Sequence, residues 1–574
     1  MKRILLFVLI CCYAVTLAAQ KKAPKWMEKE KNAVLTVTTY KNDNTVLHKG
    51  TGFFISETGE ALSAYSLFKN AHKATVTDAG GNTMPVSLIL GADELYDVIK
   101  FQVSAPKKVT FFPLVSVPLQ VDEKVYLLPY TTGKVSSFEE GQIIEVSKLK
   151  DSYNYYKVSF PLEASEVNSP LLNEKGEVFG LAQEDASGKK ENSYAVSAGY
   201  ANSLALTSAD AFNITYTNIG IRKAWPKEAD QALVSLYLLS GTQDAKEYLN
   251  TLNDFIAHFP NTADGYQNRA SHYAHYRAQL ASSPAEEQKY LDLALEDIAT
   301  AGKFMERKSD MWFNKAKLIY SVSADTTLTN DKWTVDAAQE ALQQAIKEDD
   351  QPLYHQLMGD IYFSRQNYEE AYNNYMKVNN SNQSSPSSFY MAAKARENMP
   401  SANFGELIML LDSAVAKCGT TPSPEAATFV LERVDLRMRL MQYKEAIDDY
   451  NLYFNLMGGK VSDSFYYYRE QAKFRQGDLA GALADIQMAI KMKPQDSNYY
   501  AEEASVYVRM QTYDKALESI DKALKIAPDF AACYRLKGVC FIRQEKKAEA
   551  CEAFQKAKEL GDPVADKLIK EHCR

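Results

Sequence analysis

Two kinds of hydrophobic periodicity divide the chain. Between residues 30 and 206, apolar and polar residues alternate in short runs separated by turn residues, as in Ala33 to Tyr40 and Val98 to Val103. This pattern predicts about a dozen β-strands in a closed or sandwiched all-β domain. From residue 227 to residue 574, apolar positions recur every three to four residues, which predicts amphipathic helices. Residues 207–226 are predicted to be a linker.

The helical region contains an internal repeat. The positions that align at a 34-residue period are Tyr466, Tyr500 and Tyr534, then Ala482, Ala516 and Ala550, and then Pro494 and Pro528. This pattern resembles the tetratricopeptide repeat, and the resemblance implies an all-α solenoid over residues 227–574. Periodicity along the whole region predicts about eight or nine helical hairpins. Glu470 stands where the motif has a small residue, which predicts a distorted repeat at that point.

Three segments of the β region resemble the HtrA-like branch of trypsin-type serine peptidases. They are Gly50 to Gly59, Gly91 to Lys100 and Pro170 to Gly180. The resemblance covers residues 30–206 and implies a trypsin-like double β-barrel. In such peptidases a serine attacks the peptide bond, a histidine takes its proton, and an aspartate orients the histidine. The motifs place these three positions on Val167, Ser66 and Asp97.

The substitutions at two triad positions predict a pseudoprotease. Valine has no nucleophilic atom, and a serine hydroxyl does not act as a base near neutral pH. The family's two glycines after the nucleophile are Asn168 and Ser169 here, and its oxyanion-hole glycine is Ser165. Side chains at these positions are expected to disfavour the catalytic loop conformation. We therefore predict no enzymatic activity. The alternative is a relocated site that uses Ser165 or Ser169 with His72 as base.

The N-terminus has the pattern of a secretory signal peptide. Residues 1–20 hold a basic start, an apolar run from Ile4 to Ile10 and a small-residue cleavage zone. This predicts export, with a periplasmic or outer-membrane-associated location in a Gram-negative bacterium. No later apolar run is long enough to span a membrane, so we expect no direct membrane insertion. The net charge of −8 argues against nucleic acid as a partner.

Cysteine and histidine positions indicate little further chemistry. The five cysteines beyond the signal peptide all lie in the helical region, and their odd number favours free thiols while leaving one disulfide among the last four open. His272 and His275 could share a helix face, but no further ligand accompanies them. We predict no metal site and no cofactor. Asp448-Asp449 is interpreted as a solvated helix end.

The resemblance to tetratricopeptide repeats implies a groove for protein partners, lined by the first helix of each hairpin. The positions that fall in this groove are Tyr467, Gln471, Phe474, Val508, Arg535, Val539 and Ile542. Packing against the next repeat is the alternative role for each of them. The leading hypothesis is a non-catalytic scaffold or adaptor in cell-envelope complexes, with outer-membrane or secretion-assembly components as partners. The alternatives are a chaperone-like binder of unfolded clients and an active serine-type peptidase.

Overall fold

The computed structural model describes residues 22–150, 152–185, 191–325, 328, 330–419 and 423–573. The predicted signal peptide, residues 1–20, lies outside them. The chain divides into two compact units at residue 304. The first unit contains the described strands and the first helices of the repeat region, and the second contains the remaining helices.

Six strands of the first unit form a closed antiparallel barrel in the order β1-β2-β3-β6-β5-β4. They are β1 Val34–Tyr40, β2 Val46–Phe54, β3 Glu60–Ser63, β4 Lys73–Thr77, β5 Thr83–Asp93 and β6 Val98–Val103. In β1 the alternating residues of the sequence point to two faces of the strand. Leu35 and Val37 are fully buried, while Thr36 and Thr38, which each follow one of them, are half-buried. Two short helices lie in this part of the chain, α1 Lys25–Glu30 before β1 and α2 Tyr65–Phe68 between β3 and β4.

A second closed barrel follows, in the order β10-β11-β12-β9-β8-β7. Its strands are β7 Lys124–Leu127, β8 Glu139–Lys150, β9 Tyr153–Val158, β10 Pro170–Asn173, β11 Val178–Gln183 and β12 Ser193–Ser197. Ile143, Tyr156 and Phe179 belong to its buried core. Two six-stranded antiparallel barrels confirm the predicted trypsin-like double barrel.

The segment predicted as a linker, residues 207–226, is part of the barrel unit. It carries a short helix, α3 Ile214–Thr217. Tyr216, Ile219 and Ile221 are at most 5% exposed and pack into the core of the first barrel. The Tyr216 hydroxyl also accepts a hydrogen bond from the Ala92 backbone N–H at 2.9 Å. The linker prediction is therefore wrong, because the apolar residues of this segment complete a core rather than connect two domains.

The rest of the chain is helical. The helices are α4 Ala229–Ser240, α5 Ala245–His258, α6 Ala263–Leu280, α7 Pro284–Ala301, α8 Lys308–Ser323, α9 Val335–Glu348, α10 Pro352–Ser364, α11 Tyr368–Asn379, α12 Pro386–Glu397, α13 Phe404–Lys417, α14 Ala426–Arg439, α15 Tyr443–Leu456, α16 Asp463–Gln476, α17 Leu479–Met492, α18 Ser497–Arg509, α19 Tyr513–Ile526, α20 Ala531–Arg543, α21 Lys547–Glu559 and α22 Ala565–His572. They form nine consecutive pairs and a final helix within the described residues, as the periodicity predicts. None of the described helices is long and apolar enough to cross a bilayer.

Small residues allow the two helices of a repeat to approach closely. A Cβ on Gly538 of α20 would lie 2.5 Å from the Phe554 ring of α21, closer than atoms can pack. Ala504, at the matching position of α18, is fully buried. Glu470 occupies the same position two repeats before Gly538, yet α16 runs unbroken and Glu470 is fully buried. The predicted distortion is therefore absent from the helix, and the repeat encloses a carboxyl group instead.

A disulfide joins Cys551 of α21 to Cys573, 22 residues further along the chain. Cys533 and Cys540 are buried free thiols, and Cys418 is a half-buried one. The preference for free thiols is thus correct for three cysteines and wrong for two. The bond ties α22, the last helix of the described chain, to the preceding hairpin.

Reduction of this disulfide is expected to loosen α22. Opening a loop of this length removes about 3 kcal/mol of stabilisation, which corresponds to roughly hundredfold faster local exchange of amide hydrogens. The measurement is hydrogen–deuterium exchange of peptides from residues 560–573, with the wild type compared with Cys573→Ser. Cys418→Ser, which changes a free thiol, is the control. Equal exchange in the wild type and in Cys573→Ser would contradict the expectation.

Candidate functional site

The positions that match the catalytic base and its orienting aspartate are in direct contact. Ser66 lies on α2, and Asp97 lies in the turn between β5 and β6, where its φ is 53°. The Ser66 backbone N–H donates to Asp97 Oδ1 at 2.7 Å, and the Ser66 hydroxyl donates to Asp97 Oδ2 at 3.0 Å. Both oxygens of the carboxylate are therefore occupied by one serine. Unlike the imidazole of a histidine, the hydroxyl of Ser66 offers no basic nitrogen that could receive a proton from a nucleophile.

The loop that matches the nucleophile segment runs from residue 161 to residue 169. Val167 is half-buried at its centre. Asn168 has φ 66°, and its backbone N–H donates to the carbonyl of Ala182 at 2.8 Å. Asparagine tolerates this left-handed conformation better than most residues. Replacement of this glycine thus does not prevent a left-handed backbone at position 168, contrary to the expectation from the sequence. The side chain of Val167 carries no nucleophilic atom.

The alternative serine nucleophiles occupy different environments. Ser165 is exposed on the loop. Ser169 is fully buried, and its hydroxyl has no hydrogen-bond partner. His72, the base of the relocated site, lies at the exposed start of β4, where its backbone N–H donates to the Tyr40 carbonyl. His72 is not among the residues that line the cleft described next.

A cleft of about 540 Å³ brings Asp97 and Val167 together. Tyr155 and Gln183 line the same cleft, and the Tyr155 hydroxyl donates to Gln183 Oε1 at 3.1 Å. Gln183 Nε2 donates in turn to the Tyr96 carbonyl at 2.9 Å, which fixes the end of β11 beside the turn that carries Asp97. Sequence reasoning missed Tyr155 and Gln183, because residues from separate strands meet only after the barrel closes.

The residues predicted to line the repeat groove are all half-buried. Several of them contact neighbouring side chains. The Tyr467 ring lies 5.5 Å from the Tyr499 ring, and the Arg509 guanidinium lies 4.8 Å from the Phe474 ring. Gln471 Nε2 donates to Glu470 Oε2 at 2.8 Å, and Arg535 Nε donates to Asp562 Oδ2 at 2.9 Å. Tyr467 and Phe474 therefore also hold adjacent repeats together. Val508, Val539 and Ile542 are apolar residues that stay partly exposed.

The histidine pair on α6 has local partners. His272 Nε2 is 2.7 Å from the Ala245 carbonyl, and burial lowers the pKa of His272. His275 Nδ1 is 2.9 Å from the Ser271 carbonyl. Across the described residues, no group of three or more histidine, cysteine, aspartate or glutamate side chains has a metal-binding arrangement.

Comparison with known families agrees with a β-barrel region followed by a helical-repeat region. Residues 50–181 match the trypsin-like peptidase domain, and residues 501–565 match the tetratricopeptide repeat. The chain thus combines a trypsin-like peptidase domain with a tetratricopeptide-repeat region. No curated protein matches it.

Similar solved structures include two of the Rv3671c protease from M. tuberculosis. The active form is 20% identical, with a TM-score of 0.26, and the match covers 31% of this chain and 80% of that chain. An inactive serine-to-alanine mutant is 19% identical, with the same TM-score, and covers 31% and 86%. At this identity and TM-score, neither structure adds to the argument about chemistry.

Proposed function

We propose that this protein is a secreted, non-catalytic interaction protein, a scaffold or adaptor built from a pseudoprotease domain and tetratricopeptide repeats. The observation that carries the proposal is the side chain of Val167 beside Asp97 in the cleft. Acyl transfer needs a hydroxyl or thiol nucleophile there, together with a base that receives its proton. Val167 offers no such atom, and Ser66 only donates to Asp97.

Several features support export to the cell envelope. The Cys551–Cys573 disulfide is typical of proteins that mature in an oxidising compartment. The N-terminal residues have the signal-peptide pattern described above. We place the protein in the periplasm, or at the outer membrane, of a Gram-negative bacterium. Its partners would be protein segments bound by the repeats, such as those of outer-membrane or secretion-assembly components.

The alternative is a chaperone-like binder of unfolded clients. The cleft favours this alternative because it is open and because Leu95 on its rim is 81% exposed. An exposed apolar side chain beside a former substrate cleft suits transient contact with extended chains.

A serine-directed probe tests the absence of catalysis. The wild-type chain is expected to show no labelling by a fluorophosphonate and no cleavage of unfolded casein, at least about 10³-fold below an intact trypsin-like enzyme. The double variant Ser66→His/Val167→Ser restores the side chains of a nucleophile and a base, and Val167→Ser alone separates their effects. Labelling of the wild type that disappears in Ser165→Ala or Ser169→Ala would establish the relocated site and overturn the proposal.

A pull-down from envelope fractions distinguishes the scaffold from the chaperone. The full-length protein is compared with a chain that ends at Pro226, because Ile221 is buried in the core of the first barrel and must be retained. One stoichiometric complex that is lost with the truncation supports binding by the repeats. A heterogeneous set of unfolded proteins that the truncation retains supports the cleft-based alternative instead.

A further inference from the structure

A cavity of about 470 Å³ lies in the first unit, away from the protease-like cleft. It forms where residues 206–226 meet the first helical pair, α4 and α5. Its walls include the apolar side chains of Leu206, Tyr216, Ile221, Trp225 and Leu239. Cavities of this size and character hold small ligands in other proteins. Neither the proposed scaffold function nor the family resemblance assigns a role to it.

Lys223 is the distinctive polar group of this cavity. It is half-buried, and its ammonium donates to the Ile219 carbonyl four residues earlier. Burial lowers its pKa below the ordinary value of a lysine. Among the described residues, no carboxylate lies within ion-pair distance of Lys223, although ion pairs of other lysines are numerous. The wall of the cavity therefore contains a partly desolvated lysine with no ion-pair partner among the described residues.

The two acidic residues of the cavity wall are engaged elsewhere. Asp254 accepts from the Trp225 indole N–H at 2.8 Å and pairs with Arg222 at 2.9 Å. Asp210 accepts from the Thr207 backbone N–H at 2.7 Å and from its hydroxyl at 3.0 Å. Arg222 pairs with Asp254, and the contacts of Asp210 are with Thr207, so Lys223 is the cation of the wall that has no carboxylate within ion-pair distance among the described residues.

We propose that this cavity binds a small monocarboxylate with an apolar body. The ligand carboxylate would accept a charge-assisted hydrogen bond from Lys223 Nζ, and its apolar part would lie against Tyr216, Trp225 and Leu239. A ligand with one negative charge would supply Lys223 with the ion-pair partner that it lacks, because a buried charge is tolerated when it is paired. A phosphate would bring a second charge, and the other cation of the wall, Arg222, is already paired with Asp254.

Calorimetric titration of the full-length protein with hexanoate tests the proposal. The wild type is expected to bind hexanoate, and Lys223→Met is expected to weaken that binding by at least about tenfold. Lys227→Met, which changes an exposed lysine four residues away, is the matched control and should bind as the wild type does. Hexanol, which has the same chain without the charge, should bind the wild type at least about tenfold more weakly than hexanoate.

Lys223→Met should fold, because it replaces a desolvated ammonium by an apolar side chain of similar length. Its thermal midpoint, without ligand, is therefore expected to equal or exceed that of the wild type. A second variant, Leu239→Trp, fills the cavity without a change of charge and should also abolish hexanoate binding. The proposal is overturned if hexanoate fails to bind the wild type at about 20 mM, or if it binds Lys223→Met or Leu239→Trp as tightly as the wild type.

Discussion

Replacing Asp449 with alanine is expected to destabilise the helical repeats by about 3–5 kcal/mol, because it leaves a buried guanidinium without its carboxylate. Asp449 of α15 is 2% exposed. Both of its oxygens accept hydrogen bonds from Arg433 of α14, and Arg437 Nη1 donates to Oδ2 at 2.8 Å. Arg433 is itself only 8% exposed. Its contact with the half-exposed Asp412, at 2.6 Å, persists in the variant, so the loss should fall near the lower end of this range.

The chain has several folding units, so the effect must be measured locally as well as globally. The global measurement is the urea midpoint of the far-UV circular dichroism signal. The local measurement is hydrogen–deuterium exchange of peptides from α14 and α15. Asp435→Ala is the matched control, because its pair with Arg439 on the same helix is exposed and should contribute less than about 1 kcal/mol. The expectation fails if Asp449→Ala shifts the exchange no more than Asp435→Ala does.

This aspartate also marks a limit of sequence reasoning. Asp448-Asp449 suggests a solvated helix end, and Asp448 is indeed exposed. Asp449 is buried because it faces α14, where Arg433 supplies its counter-charge. A similar clasp joins Arg469 of α16 to Asp485 of α17, at 2.6 and 2.8 Å. Periodicity places both residues on helices, but only the packing of two helices decides that their charges meet.

More of the fold than of the candidate site could be predicted from the sequence. Alternation with period two predicts a closed or sandwiched all-β domain, and a 34-residue repeat predicts paired helices, because each pattern is imposed by one buried face. The two barrels are what the resemblance to trypsin-type peptidases implies. The spacing of the motifs also identifies Ser66 and Asp97, which prove to be hydrogen-bonded to each other. The role of residues 207–226 was missed because Tyr216, Ile219 and Ile221 are too few to form a periodic pattern. The cavity beside Lys223 has no local signal, since its walls come from separate segments.

Glu470 is expected to make the last repeats more stable in acid than in base. The side chain is fully buried in α16, and its Oε1 has no hydrogen-bond partner. Burial, with a smaller contribution from the charge of Glu502, raises the pKa of Glu470 to about 8, from 4.5 in the absence of such effects. Burial also raises the pKa of Glu502. Asp485 adds to the effect on Glu470, whereas Gln471 and Arg475 oppose it.

The sign of the pH dependence follows from the tighter binding of the proton in the folded state. Stability due to the protonated Glu470 is fully present below about pH 4.5 and is lost as the pH rises to about 8. A rise of this size in the pKa corresponds to a loss of folding stability on the order of 5 kcal/mol. Glu470→Gln keeps the shape and the hydrogen-bonding capacity without the charge. We therefore expect this variant to match the wild type near pH 4.5 and to exceed its stability at pH 9 by several kcal/mol.

The measurement is hydrogen–deuterium exchange of peptides from α16 to α19, together with the urea midpoint, at pH values from 4.5 to 9. Exchange rates are corrected for the intrinsic effect of pH on amide hydrogens. Glu518→Gln, which changes an exposed carboxylate on α19, is the control and should leave the wild-type pH profile unchanged. Glu502 should leave a smaller residual dependence of stability on pH in Glu470→Gln, because its own pKa is raised by burial.

If the wild type and Glu470→Gln show the same dependence of stability on pH, Glu470 does not titrate in the folded repeats as its burial implies. A steeper loss of stability with rising pH in the wild type than in Glu470→Gln would show that the buried carboxyl of Glu470 limits the stability of the repeats.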